Sequence, residues 1–261
     1  TFKLLDKLNM IKIKYIESIK GTSKENEDVV SFNDNCCWVI DGATDVFDST
    51  SQIGITVSKY VNELSNELRL LCNNQKNLDV IMTQAVSNVT SKYLKSIAFS
   101  EEFFAKLPTF SFIICRQHGY KFEYLLLGDC YLILNGKTIT DKRITEFSKN
   151  NQLKLLNSLS VNTNIDSKDR LAIFRETRLK ANQSNGYPIG SMSPKSISYA
   201  KKGIIPINEV KTFMLMTDGY FNSYNSSKSL VENSRSIISN NQIDIIYGKK
   251  DDASVLEGIL I

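Results

Sequence analysis

The chain contains 261 residues, of which 42% are hydrophobic and 23% charged, and its formal net charge is +4. This composition predicts one soluble globular domain and, since the charge is low and no dense Lys/Arg stripe is present, it excludes a nucleic-acid partner. No apolar run reaches the roughly 20 residues that cross a bilayer and no secretory signal pattern is present, so we expect a cytoplasmic protein without a membrane partner.

Three strands are predicted in the N-terminal part of the chain. Apolar and polar residues alternate over residues 10–17, and two short apolar runs follow at 29–32 and 36–40. The third run ends at Asp41-Gly42, and an Asp-Gly step is typical of a sharp turn that leaves a sheet. Asp41 is therefore predicted at the end of a core strand.

Two long helices and a series of strands follow. Apolar residues recur at three- and four-residue steps over residues 50–72 and 78–97, which predicts two amphipathic helices. The next strands are predicted as one antiparallel series over residues 109–116, 122–127, 131–134 and 138–140. Asn135-Gly136 predicts a type I′ hairpin turn between the last two of them.

The C-terminal half completes an α+β layered domain. Residues 141–180 are polar and partly helical in pattern, and no linker composition lies beside them, so we interpret them as a family-variable insertion. Strands are predicted over 211–217 and 253–261, and a helix over 226–239. Residues 1–261 then form a single domain, with residues 1–9 expected to be non-native or disordered.

Cysteine and histidine usage limits the chemistry. The odd number of cysteines and the lack of Cys-x-x-Cys spacing predict buried free thiols, and these are Cys36, Cys37, Cys72, Cys115 and Cys130. The single histidine, His118, lies in a predicted hairpin turn. A zinc site of several His or Cys ligands and a Ser-His-Asp triad are therefore not expected.

Acidic residues adjoin several of the predicted core strands. Asp41, Asp129, Asp218 and Asp251 each stand beside one, at well-separated places in the sequence. Hard cations such as Mg²⁺ or Mn²⁺ prefer carboxylate oxygens held on rigid supports. Taken singly, each Asp-Gly step is more typical of a turn, and Asp129 is equally consistent with a strand-end cap.

The order of these acids resembles the motif series of the metal-dependent protein Ser/Thr phosphatases, the type 2C or PPM family. The corresponding segments, in chain order, are Asn26-Glu27-Asp28, Asp41-Gly42, Gly128-Asp129, Thr217-Asp218-Gly219 and Asp251-Asp252-Ala253-Ser254-Val255. The resemblance spans residues 12–261, and Asn185-Gly186-Tyr187 resembles a segment of some bacterial members. Each motif is weak alone, but five in order are fairly specific.

The resemblance implies a four-layer α-β-β-α sandwich, two antiparallel sheets flanked by helices, with two Mn²⁺ or Mg²⁺ ions between the sheets. Asp41, Asp218 and Asp251 would be the catalytic metal ligands, with Asp41 bridging both ions. Gly42 would offer its backbone carbonyl. A metal-bridging hydroxide would then attack the phosphorus of phosphoserine or phosphothreonine in a phosphoprotein substrate.

Three further acids take supporting roles in the resemblance. Asp28 would act on the metals through water, with Glu27 beside it, and Asp129 matches an acid associated in the family with a third metal. The chain departs from the family at two places: the histidine after Asp-Gly is Ala43, and the phosphate-clamping arginine is Ser23. Lys24 is a weak candidate for the missing phosphate contact.

These departures leave two alternatives to a protein phosphatase. The chain could be a weakly active or inactive phosphatase-like signalling or binding module that keeps the fold and binds metal. It could also hydrolyse a small phosphate ester at the same site. Turnover of a phosphothreonine peptide with Mn²⁺, compared with that of small esters, separates the three.

Overall fold

The computed structural model describes residues 10–73, 75–95, 99–161, 167–244 and 248–261, so the expectation for residues 1–9 lies outside the described part of the chain. Two antiparallel sheets pack face to face around a shared apolar core. That core contains Val39 and Ile113 from one sheet and Leu215 and Leu256 from the other. Removal of these faces from water holds the sheets together.

The strands are numbered in chain order. The first sheet contains β2 (Asp28–Phe32), β3 (Cys36–Ala43), β4 (Thr109–His118), β5 (Lys121–Leu127), β8 (Gly190–Ser191) and β9 (Lys201–Pro206). Its order is β2-β3-β4-β5-β9, with β8 paired to β4. The second sheet contains β1 (Ile11–Ile19), β6 (Tyr131–Leu134), β7 (Lys137–Thr140), β10 (Phe213–Met216) and β11 (Ala253–Leu260). Its order is β1-β11-β10-β6-β7.

Helices cover the outer face of each sheet. On the first sheet, α2 (Val57–Leu71) and α3 (Leu78–Tyr93) bury a cluster that includes Trp38 and Phe112. On the second, α7 (Asp218–Phe221) and α8 (Leu230–Ser239) contribute Tyr220 and Ile237 to another cluster. The layers therefore follow the order α-β-β-α, which confirms the predicted fold class.

Six further helices complete the described chain. They are α1 (Ser49–Ile53), α4 (Glu101–Ala105), α5 (Arg143–Val161), α6 (Ser167–Arg178) and two 3₁₀ helices, Pro194–Tyr199 and Ile207–Glu209. Helices α5 and α6 pack against each other and lie within residues 141–180. The interpretation of that segment as an insertion stays a prediction.

The predicted turn at Asp41-Gly42 is wrong. Both residues lie within β3, where Asp41 pairs with Ser111 and Gly42 with Phe110 of β4. The strand continues because β4 runs on opposite it and supplies hydrogen-bond partners for the backbone. Asp41 is therefore held by strands on both sides.

Several other boundaries differ from the prediction, and two of these differences change the arrangement of elements. The helix expected over residues 50–72 is two helices, since Gly54 ends α1 with a positive φ of 73° and the Thr56 side chain caps α2. The strands expected as one series divide between the sheets, because the chain crosses from β5 to β6. The hairpin at Asn135 and Gly136 is confirmed by their φ values of 49° and 80°, and the five cysteines are free and buried as expected.

Candidate active site

Three polar residues lie side by side on neighbouring strands of the first sheet. Asp41 of β3 pairs with Asp28 on β2 and with Ser111 on β4. Asp41 follows Val39 at a two-residue step, and Val39 belongs to the core between the sheets. The first sheet therefore directs Asp41 toward the second sheet.

The second sheet positions two more acids on adjacent segments. Asp218 begins α7 just after β10, Asp251 lies just before β11, and β10 pairs with β11. A Cβ atom on Gly219 would lie 2.0 Å from the carbonyl oxygen of Asp252, so only glycine permits this approach. The contact keeps the two acid-bearing segments together.

These acids meet at one cavity. Asp41, Asp218 and Asp251 line a cavity of about 220 Å³ together with Asp129, which lies between β5 and β6. Another wall comes from α5 and α6, through Ile144, Ser148, Gln152, Phe174, Thr177 and Arg178. Four of the predicted acids, from four separate chain segments, are thus brought to the same space.

The end of β3 forms a further part of the wall through Gly42, Ala43 and Thr44. A Cβ atom at position 42 would lie 2.5 Å from Val57 Cγ1 and 2.7 Å from the carbonyl oxygen of Glu27. Because glycine has no Cβ atom, it allows β3 to pack this closely against Val57 and Glu27. Ala43 carries no group that could donate a proton.

Two of the acids predicted to play supporting roles, Asp28 and Glu27, do not line the cavity, whereas the third, Asp129, does. Asp28 is buried and accepts a hydrogen bond of 2.8 Å from the hydroxyl of Thr217, which in turn accepts one of 2.9 Å from the Ser254 amide. The Asp252 carboxylate accepts a hydrogen bond of 2.7 Å from the Glu27 amide. These hydrogen bonds connect residues 27 and 28, at the start of β2, to the start of β11.

The crowding of buried carboxyl groups raises their proton affinity. Burial, followed by the charges of the neighbouring acids, raises the pKa of Asp41 and of Asp218 well above the ordinary range. Burial also raises the pKa of Asp28 to about 8, against the lowering effect of the Thr217 hydroxyl, and that of Glu27 to about 7. Positive charge in or near the cavity would stabilise the ionised forms.

The donor set fits a hard divalent cation, because the cavity acids present oxygen atoms, the ligands that Mg²⁺ and Mn²⁺ prefer. Among the residues that the structure describes, no group of three or more His, Cys, Asp or Glu side chains is placed to hold a metal ion as it stands. Asp218 lies close enough to Asp41 for its charge to raise the Asp41 pKa. The ligands are therefore gathered, but their side chains would have to turn to bind a cation.

Comparison with known families decides the identity of the domain. The family model for protein phosphatase 2C matches residues 25–244, most of the chain. The chain belongs to the protein phosphatase 2C family. The assignment confirms the resemblance carried by the five acidic motifs and favours a metal-dependent protein Ser/Thr phosphatase over a phosphatase-like binding module.

Solved structures of bacterial phosphatases share the protein phosphatase 2C fold of this chain. The catalytic domain of PstP, in complex with two manganese ions, is 12% identical, with a TM-score of 0.53, and the match covers 97% of this chain and 99% of PstP. PstP/Ppp from Mycobacterium tuberculosis is 13% identical, with a TM-score of 0.54 and coverage of 96% and 98%. Stp1 from Staphylococcus aureus is 12% identical, with a TM-score of 0.55 and coverage of 95% of both chains.

None of the curated protein sequences compared with this protein phosphatase 2C chain matches it. At 12–13% identity, the structural likeness to these three proteins concerns the fold. Within the part of the chain that the structure describes, no helix is long and apolar enough to span a membrane.

Sequence reasoning missed Ser111, a cavity residue of this protein phosphatase 2C domain. Its hydroxyl donates a hydrogen bond of 2.6 Å to Asp129 and accepts one of 3.3 Å from the Asp129 amide. Its position opposite Asp41 depends on the register of β3 against β4. An isolated serine within an apolar strand is the one signal that the sequence offers.

Two basic residues of the cavity wall were also missed. Lys249 Nζ lies 3.1 Å from Asp251 Oδ1 and donates a hydrogen bond of 2.8 Å to Thr44 Oγ1. Arg178, the last residue of α6, donates one of 3.3 Å to the carbonyl oxygen of Thr44. Burial lowers the pKa of Lys249, but Asp251 and Glu27 outweigh it, so the pKa is raised above its usual value.

The weak candidate for phosphate binding lies elsewhere. Lys24 is exposed, its carbonyl oxygen accepts a hydrogen bond from Lys20, and it is not among the residues that line the cavity. Ser23, at the position of the family's arginine, does not line the cavity either. The nearness of Lys249 to Asp251 in the sequence could have indicated a better candidate.

Proposed function

We propose that this protein phosphatase 2C domain uses Mn²⁺ or Mg²⁺, bound by Asp41, Asp218 and Asp251, to hydrolyse phosphoserine and phosphothreonine in a phosphoprotein. One observation carries the assignment of these residues: they are acids from separate segments that line one cavity, where burial raises the pKa of Asp41 and of Asp218. An accumulation of buried carboxyl groups is costly unless cations offset it. Function therefore explains an arrangement that stability alone would disfavour.

We assign two divalent cations to the site, which Asp41, Asp218, Asp251 and the backbone carbonyl of Gly42 would hold. The two manganese ions in the structure of PstP support this number. When bound, such cations lower the pKa of a shared water and withdraw charge from a phosphoryl group. Asp129 would assist a third cation, and Asp28 and Glu27 would act on the ligands through water.

The protein's own part is to fix the acids and shape the cavity. Strands on both sides hold Asp41, and the contact of Gly219 with Asp252 holds the segments that carry Asp218 and Asp251. Rigid placement avoids reorganisation of the charges during the reaction. The apolar side chains of Ile144 and Phe174 line the cavity from α5 and α6.

The test is release of inorganic phosphate from a phosphothreonine peptide with Mn²⁺. We expect turnover that a chelator abolishes and that Asp218→Asn reduces by at least about a hundredfold, beyond the 10–100-fold cost of losing a supporting group. Asp79→Asn is the matched control, because Asp79 lies on α3, pairs with Lys202 and does not line the cavity. Equal activity in Asp218→Asn and Asp79→Asn would refute the site assignment.

A further inference from the structure

A phosphoryl dianion that enters this cavity meets four acidic side chains, so positive groups on the protein would help the proposed divalent cations to hold it. Of the described residues that line the cavity, two carry a positive charge at neutral pH, Lys249 and Arg178. They come from unrelated segments, the loop before β11 and the end of α6. Their convergence on one cavity therefore needs an explanation.

Lys249 is well placed to contact a bound anion. About 20% of its side chain is exposed, and its ammonium lies 2.8 Å from Thr44 Oγ1, 3.1 Å from Asp251 Oδ1 and 4.0 Å from Glu27 Oε2. These neighbours fix the ammonium between the acids and the end of β3. An ammonium carries three donors, and it can turn one of them toward a ligand in the cavity.

Arg178 approaches the same point from the other side. Its guanidinium donates a hydrogen bond of 3.3 Å to the carbonyl oxygen of Thr44. Both cations are therefore anchored on Thr44, the residue that follows β3. We define Thr44, Arg178 and Lys249 as the basic rim.

We propose that Lys249 and Arg178 of the basic rim bind the phosphate of the substrate. The inference rests on the proposed function, since it assigns the phosphate-binding groups of the same site. The guanidinium fork and the ammonium would each donate to non-bridging phosphate oxygens, the geometry for which these groups are suited. Neither residue belongs to the acidic motifs, so the order of those motifs in the sequence does not indicate that the two basic side chains meet.

The experiment compares Lys249→Gln and Arg178→Gln with neighbours that do not line the cavity. Lys250→Gln is the control for the first, because Lys250 bonds to the carbonyl oxygen of Ile237. Arg175→Gln is the control for the second, because Arg175 lies on α6 and bonds to the carbonyl oxygen of Val46. Thermal unfolding of each variant establishes that it is folded.

The readouts are KM and kcat for a phosphothreonine peptide with saturating Mn²⁺, and the inhibition constant of inorganic phosphate. We expect KM and the inhibition constant to rise together by about tenfold to a hundredfold in each rim variant, the cost of a hydrogen bond to a charged group. We expect kcat to change less than about threefold and the controls less than about twofold. The charge-retaining variant Lys249→Arg should raise KM less than Lys249→Gln does, because it keeps a positively charged donor.

Mn²⁺ affinity is measured separately, because a change in metal binding would also alter the kinetics. Because Lys249 pairs with Asp251, its removal takes a positive charge away from a proposed metal ligand. Mn²⁺ affinity, measured calorimetrically, should therefore be equal or higher in Lys249→Gln. A lower affinity, or a fall in kcat with unchanged KM and phosphate inhibition, would overturn the proposal.

Failure of the proposed function gives a different pattern. If the wild-type protein hydrolyses no phosphopeptide, binding of inorganic phosphate with Mg²⁺, followed by ³¹P line broadening, still tests the basic rim. Loss of broadening in the rim variants alone would support the proposal. Broadening that is equal in wild type and rim variants, or active variants with unchanged KM, would overturn it.

Discussion

The two sides of the cavity are supported in different ways. The acids lie in or next to strands of the two packed sheets, and Asp41 is paired on both sides. Arg178 lies at the end of a peripheral helix and Lys249 in a loop, and both are held through Thr44. The groups proposed to hold cations are therefore supported by the packed sheets, whereas those proposed to hold substrate lie on a peripheral helix and a loop, which can vary in sequence without disturbing the core.

The largest expected effect is on the acidic side. Asp41→Asn keeps the shape of the side chain but removes a charge proposed to hold the cations, so activity with Mn²⁺ should fall more than about a hundredfold. The metal-free variant should be at least as stable as wild type at pH 8, because one of the mutually repelling acids is gone. Phosphate release and thermal unfolding measure the two effects. A variant that loses stability and activity together would contradict a purely electrostatic role.

A second change tests the rigid placement of the acids. Gly219→Ala places a Cβ atom 2.0 Å from the carbonyl oxygen of Asp252, so the segments bearing Asp218 and Asp251 must separate. We expect a loss of activity of about tenfold to a hundredfold, as for small misplacements of catalytic groups.

The control for that change is Gly54→Ala. Gly54 has open space around its Cα and a positive φ of 73°, so alanine there adds backbone strain away from the cavity. It should cost roughly 1 kcal/mol of stability and leave kcat unchanged. Equal kinetic losses in the two variants would mean that general destabilisation, not placement of the acids, lowers activity.

The third prediction concerns pH. The pKa of Glu27 is raised from 4.5 to about 7 and that of Asp28 from 3.8 to about 8. At a pH between the ordinary and the raised pKa of each group, the folded state therefore binds more protons than the unfolded state. The free energy of unfolding of the metal-free protein should therefore fall as pH rises from about 4 to about 8. We expect a decrease in Tm of roughly 5 °C or more, which Mn²⁺ reduces. A Tm that rises over this interval without metal would contradict the electrostatic description of the site.

The smallest expected effect is on the basic rim. Thr44→Val removes the hydroxyl that accepts from Lys249 and keeps the carbonyl oxygen that accepts from Arg178. KM should rise about threefold to tenfold, the value of one hydrogen bond, with little change in kcat. Steady-state kinetics with a phosphothreonine peptide measure this, and Thr56→Val, which alters a helix cap outside the cavity, is the control. A larger loss of activity in Thr44→Val than in Asp41→Asn would contradict the expectation that the acids contribute more to activity than the basic rim does.

Much of the fold follows from local patterns. Alternating and helical periodicity located most strands and the two long helices, because burial of one face leaves a repeating trace in the sequence. The same patterns could not show that β5 and β6 belong to different sheets. Pairing between strands far apart in sequence is decided by packing, and it leaves no local signal.

The candidate site, like the fold, could be predicted from the sequence only in part. The sequence alone determined the acids and the glycines beside them, since the order of short motifs records them directly. Tertiary structure decided that Asp41 continues a strand, that Ser111 lies opposite it, and that Lys249 and Arg178 meet at Thr44. The physical reason is that a phosphate-binding charge can be supplied from any segment that reaches the cavity. Acids that must be held rigidly depend on the few strand ends that the sheets bring together.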